Sequence, residues 1–346
     1  MRRVPPRGAF RARFSTVPPA RPRRLPGVSG TLGLMPAEAP PPLVLAREVR
    51  ADLGNTRSLD AAVQRGELVR VRRGVYIDGA WWANASARDR HLALVAGTRA
   101  VAFTEPVFSH ASAAALHGIP FFGEWPRHAS VIGPRTGSRS RRALRSPRPL
   151  CAEEVTVLAD GTRVTTLART AIDLATILTP LGGVIGFSHV RQLGVEALEI
   201  QQLLERMSGA KGIARARATF ARSFAGSESP LETLVMVRCR ELGFELPEQQ
   251  RQVLAVDGRR YRVDFAWLDG EILGEADGEF KYDGDDQRSP REIVLAEKRR
   301  EDALRARCRS FVRITWEDAW RGDGLARRLI AAGVPRPGRP RTQLTR

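Results

Sequence analysis

The sequence predicts a chain of several domains that combines α+β with α/β architecture, and three observations carry this. Two short helical patterns run directly into a basic, alternating hairpin over residues 43–77. A middle stretch mixes capped helices with a hairpin around Asp160-Gly161. Towards the C-terminus a capped helix, a hairpin turning on Asp269-Gly270, a long amphipathic helix and another strand follow one another. At 346 residues the chain exceeds a typical single domain, and 42% hydrophobic residues suffice to bury proper cores.

The ends differ from the body. Residues 1–42 are rich in Arg and Pro, with Pro5-Pro6, Pro18-Pro19 and Pro40-Pro41-Pro42, and show neither helical nor strand periodicity. They are expected to be disordered, as is the tail 335–346, and Met35 offers an alternative start just before the first ordered pattern. The formal charge of +18 points to a polyanionic partner. Twelve arginines lie in the acid-free ends before Gly33 and after Val334, however, and without them the body carries +6. No run of about 18 apolar residues occurs, so no membrane-spanning helix is expected. Cys151, Cys239 and Cys308 are too scattered for a disulfide framework or a zinc site, which suits a reducing cytoplasm.

Residues 43–87 open with Leu43, Leu45, Val49 and Leu53 on one helical face, stopped by Gly54. Thr56 or Ser58 can cap a second helix through Leu59 and Val63 to Gly66. The alternation from Leu68 to Ile77 then describes a small basic wing. Two helices and such a hairpin predict a winged helix-turn-helix, with the wing arginines Arg70, Arg72 and Arg73 on the DNA backbone. In the mixed α/β segment 88–224, Ser109 caps a helix closed by Gly118, on which His110 and His117 share a face. No Cys or carboxylate falls in phase to complete a metal site, so packing histidines are expected there. Six arginines between Arg135 and Arg148, among them Arg139, Arg141 and Arg142, form an acid-free loop suited to tracking phosphates. Thr166 caps a helix through Ala171, Leu174 and Leu178.

Three of these stretches, Gly66–Tyr76, Ser109–Gly118 and Val164–Leu174, resemble the actinobacterial AbiE-type antitoxin proteins. The resemblance implies DNA binding near a regulated promoter, and a toxin or other operon product as partner.

The segment 225–334 carries the chemistry. Ser229-Pro230-Leu231-Glu232 combines an N-cap, a first-turn proline and a capping-box glutamate, starting a helix that runs to Gly243. Strands Tyr261–Leu268 and Glu271–Asp277 join through Asp269-Gly270. A two-residue turn sets Leu268 opposite Glu271, hence Asp264 opposite Glu275 and Arg262 opposite Asp277. These four share a face with Ala266 and Leu273, while Val263, Phe265 and Trp267 point the other way. Opposed carboxylates are unfavourable unless a cation lies between them, and a hard divalent ion is the obvious occupant. Glu232 can add a third oxygen, and Lys281 can orient a water or stabilise charge developing on a phosphate. An amphipathic helix over Arg291–Arg307 follows, with Glu297 and Glu301 on one face and Lys298 paired with Asp302. A third strand, Ser310–Trp316, and a short helix from Trp316 complete the order.

The motifs Ser229–Glu232, Arg262–Phe265, Gly274–Tyr282, Glu297–Asp302 and Val312–Trp316, in this sequence, resemble the very-short-patch-repair-like endonuclease domain of the PD-(D/E)XK superfamily. The resemblance implies a restriction-endonuclease-like fold and DNA cleavage dependent on Mg²⁺ or Mn²⁺, with Glu232, Asp264 and Glu275 as metal ligands. One position departs from the superfamily pattern: Asp277 stands where Glu-x-Lys has its lysine, so Lys281 or Lys298 would have to take that role. A non-enzymatic regulator that keeps the nuclease fold as a binding module is the alternative.

Overall fold

The computed structural model describes residues 41–132, 150–277 and 290–337, and divides into two compact units. Among the described residues it has thirteen α-helices and three sheets, a mixed α+β architecture. No helix among them is long and apolar enough to cross a membrane.

The first unit spans 41–105 with 127–129. Its elements are β1 (Val44–Leu45), α1 (Ala46–Leu53), α2 (Arg57–Gln64), β2 (Leu68–Arg72), β3 (Val75–Asp78), α3 (Gly79–Asn84) and α4 (Ala87–Ala100). The expected first helix is shorter than its apolar pattern, because Val44 and Leu45 pair with Tyr76 and Val75 as a strand. Gly54 ends α1 with φ 69°, as a left-handed cap requires. Neither Thr56 nor Ser58 caps α2 through its side chain; the Asn55 Oδ1 accepts from the Arg57 N–H at 3.0 Å instead. The β2–β3 hairpin forms as expected, but its register slips by one residue between Arg70 and Arg72. Beyond the expected wing, α4 packs on the hairpin. Gly97 permits the approach, since a Cβ there would meet Val75 Cγ1 at 3.1 Å.

The second unit begins with β4 (Val107–Phe108), α5 (His110–His117), β5 (Val131–Ile132), β6 (Val155–Val157) and β7 (Arg163–Thr165), whose sheet order is β5-β4-β7-β6. Helices α6 (Leu167–Ala175), α7 (Pro180–Gln192), α8 (Ala197–Arg206) and α9 (Ile213–Phe220) follow. Thr166 caps α6 by accepting from the Arg169 N–H. Ser109 is the N-cap residue of α5, but not through its side chain, whose hydroxyl lies 3.0 Å from His110 Nδ1.

The chain continues as α10 (Pro230–Leu242), β8 (Glu248–Leu254), β9 (Arg260–Trp267), β10 (Ile272–Asp277), α11 (Pro290–Arg305), β11 (Ser310–Thr315), α12 (Trp316–Arg321) and α13 (Asp323–Ala332). The second sheet runs β11-β10-β9-β8, antiparallel except for the parallel pair β10–β11. One apolar cluster joins Leu181, Val184 and Ile185 of α7 to Leu231, Leu234 and Val235 of α10 and to Phe265, Trp267 and Ile272 of the sheet. A single core therefore crosses the expected boundary at residue 225. On the opposite face, Ala266 and Leu273 pack with Ala303 and Leu304 of α11.

Candidate functional site

The first turn of α10 places Glu232. Ser229 accepts from the Glu232 N–H at 3.1 Å, and Pro230 occupies the first turn without wasting a donor. The expected capping box is not completed, because the Glu232 carboxylate turns elsewhere. Its Oε2 accepts from the Glu228 N–H at 2.9 Å and from Gln250 Nε2 at 2.8 Å. Gln250 sits in β8 with φ 55°, a left-handed conformation rare outside glycine. Glu228 in turn receives both Arg262 Nη groups at 2.7 Å, so Arg262 pairs with Glu228 and not with Asp277.

The β9–β10 hairpin keeps the expected register, with Ile272 opposite Trp267, Leu273 opposite Ala266 and Gly274 opposite Phe265. Leu268 and Asp269 take φ 48° and 53° and Gly270 89°, so the strands end one residue earlier on each side than expected. Beyond Gly274 the main-chain ladder stops. Where Asp264 would oppose Glu275, Asp264 Oδ2 accepts from the Ala276 N–H at 2.8 Å. A side-chain oxygen thus replaces a main-chain acceptor. Val263 departs from the expected face: it clusters with Ala266 and Leu273, not with Phe265 and Trp267. The change falls opposite Gln250, whose left-handed backbone interrupts the pleat of β8 between the pairs Gln249–Phe265 and Arg251–Val263.

Three carboxylates therefore gather from three elements, and the Asp264 charge shows in the proton affinities of Glu232 and Glu275. Burial, then the neighbouring Asp264 charge, push the Glu232 carboxyl up to about 7. Burial also raises Glu275, with Asp264 adding to the shift and Arg300 opposing it. A cation from α11 meets Glu275 of this pair. Arg300 donates through Nη2 to Glu275 Oε1 and to the Arg262 carbonyl at 2.9 Å, and through Nη1 to Glu297 at 3.0 Å. Its guanidinium carbon lies 6.0 Å from the centre of the Tyr261 ring. Arg313 of β11 donates to Glu301 at 2.8 Å and to Asp277 at 3.3 Å. Glu297 and Glu301 thus face the sheet together, while Lys298 is exposed and makes no ion pair with Asp302.

Hydrogen bonds hold one oxygen of each carboxylate, and Asp264 Oδ1 and Glu275 Oε2 have no hydrogen-bond partner among the described residues. These are hard oxygen donors of the type that Mg²⁺ and Mn²⁺ accept. As arranged, no group of three or more His, Cys, Asp or Glu among the described residues is close enough to hold a metal ion.

No protein-family model matches the chain. Two uncharacterized proteins of Mycobacterium tuberculosis, MT2308 of strain CDC 1551 and Rv2248 of strain H37Rv, are each 27% identical over 227 residues, covering 63% of this chain and 77% of theirs. Neither name carries an activity.

The remaining expected residues divide. Arg70 and Arg73 are exposed on the first unit's hairpin, whereas Arg72 is half-buried and a Cβ on Gly97 of α4 would lie 3.7 Å from its Cδ. Lys281, Arg139, Arg141 and Arg142 lie outside the described residues. Sequence reasoning missed Arg300, although its signal was present: it precedes the buried Leu304 by one helical turn and so shares its sheet-facing side. Gln250 gave no comparable signal.

Proposed function

We propose that the chain binds DNA and hydrolyses its phosphodiesters, the first unit acting as a winged helix-turn-helix and the C-terminal part as a restriction-endonuclease-like domain. The convergence of Glu232, Asp264 and Glu275 from a helix N-terminus and two adjacent strands carries this reading. Asp264 and Glu275, each with one oxygen fixed and one open, and Glu232 would hold Mg²⁺ or Mn²⁺. Bound there, the ion would polarise the phosphoryl oxygen and acidify a water.

The chain's own groups do the rest. Ala276 and Arg300 fix the orientation of Asp264 and Glu275. Glu232, whose carboxyl burial and the Asp264 charge push up, would release its proton on taking up the ion, and the proton lost by the attacking water passes to solvent. The water oxygen forms a bond to phosphorus as the bond to one ester oxygen breaks.

The second reading is a non-enzymatic regulator of the antitoxin type, with a toxin or other operon product as partner. The neutralisation of Glu275 by Arg300 favours it. Incubating supercoiled plasmid with the purified chain in Mg²⁺, Mn²⁺ or EDTA separates the two. Nicked or linear product with metal, absent in EDTA and in Asp264→Asn, is expected; intact plasmid throughout leaves only the regulator.

A further inference from the structure

The motifs of the C-terminal domain call for a lysine two residues after Glu275, and Asp277 stands there, engaged by Arg313. A positive charge nevertheless reaches Glu275 from another element. Arg300 is anchored by three acceptors on three elements: Glu275 on β10, the Arg262 carbonyl on β9 and Glu297 on α11. A guanidinium has five N–H donors, so two remain without an acceptor among the described residues. The side chain also keeps 24% of its exposure, against 12% for Glu275 beneath it. Of the neighbouring cations, Lys298 lies two residues away, about 200° around the helix, and cannot share that face, and Arg299, about 100° away, is exposed.

We propose that Arg300 is a phosphate-contacting catalytic residue of the carboxylate cleft, supplying from α11 the charge that a lysine at position 277 would otherwise give. This rests on the nuclease reading. The anchored side of the fork fixes its direction. The free donors present a planar, permanently charged group to the non-bridging oxygens of a phosphodiester, whose negative charge grows during attack.

The test uses the full chain and a short DNA duplex, with affinity measured against salt in EDTA and cleavage measured in Mg²⁺ or Mn²⁺. In Arg300→Gln the slope of log affinity against log salt is expected to fall by about 0.9, the loss of one phosphate contact. Cleavage should fall about 100-fold. Arg300→Lys should keep the parental slope and recover at least tenfold in rate relative to Arg300→Gln. Parental slope and parental cleavage in Arg300→Gln overturn the proposal, as does loss of both in Lys298→Gln while Arg300→Gln keeps them. If Arg300→Gln does not melt cooperatively, Arg300→Lys decides: a slope reduced by about 0.9 overturns the assignment. A parent that cleaves nothing defeats the nuclease reading by itself, and the EDTA slope still reports whether Arg300 meets phosphate.

Discussion

Two polar clusters in the second unit are built from the same materials and behave differently. In the first, Arg169 of α6 lies between Glu154, 2.5 Å from Nη1, and Asp173, 2.9 Å from Nε, and all three are nearly sealed from solvent. His110 closes its edge, with Nδ1 3.7 Å from Asp173 Oδ2, an oxygen that has no hydrogen-bond partner among the described residues. In the second, Arg300 meets Glu275 where acids outnumber the cation and one edge stays open. A closed cluster ties a helix to the turn before a strand. An open one, with its Glu275 carboxyl raised by burial, is a place where a ligand can complete the charge balance.

The largest expected effect contrasts the two arginines. Arg169→Met removes the arginine that two buried carboxylates share and should cost about 3–5 kcal/mol. Arg300→Met, at a half-open site, should cost about 1 kcal/mol. Urea denaturation of both variants measures the gap, and equal losses would erase the distinction.

The next effect concerns pH. Glu232 holds its proton more tightly folded than unfolded, so its contribution is fully present below about 4.5, its unfolded value, and is lost as pH rises through about 7. Glu232→Gln should therefore be more stable than the parent at pH 8, by up to about 3 kcal/mol, with the gap closing by pH 4.5. Melting curves at the two pH values check it.

His110 has the opposite sign. Burial, opposed by Asp173 and reinforced by Arg169, lowers its proton affinity. Its contribution is thus present above its unfolded value of 6.5 and lost as pH falls. His110→Asn should flatten the acid side of the stability profile, by no more than about 1.4 kcal/mol per pH unit. Acid titration of the melting temperature would show it. The smallest change, Ser229→Ala, removes the cap of α10 and should cost about 1 kcal/mol, visible as a shifted urea midpoint at constant slope.

What the sequence made legible follows from how local the deciding physics is. Asp269-Gly270 demands positive φ, which fixes the turn, and the turn fixes the register that brings Asp264 towards Glu275. Helix α10 announced itself through Ser229 and Pro230 because those groups act within one turn. Val44–Leu45 read as helix, since their spacing to Val49 and Leu53 satisfies a helical period and only the distant edge of β3 makes them a strand. Val263 changed company because of the backbone of Gln250 on another strand. The side-chain bond from Asp264 to Ala276 replaces a ladder bond that pattern alone would extend.

The shared core of α7 and α10 has a practical corollary for the handling of this chain. Leu181, Val184 and Ile185 fill space between α10 and the sheet that carries the carboxylates. The C-terminal domain is thus no portable cassette: cut at residue 225, it would leave an apolar face bare and favour association over folding. Helix α7 thus belongs structurally to the wall behind the carboxylates, although it lies before the segment that carries them.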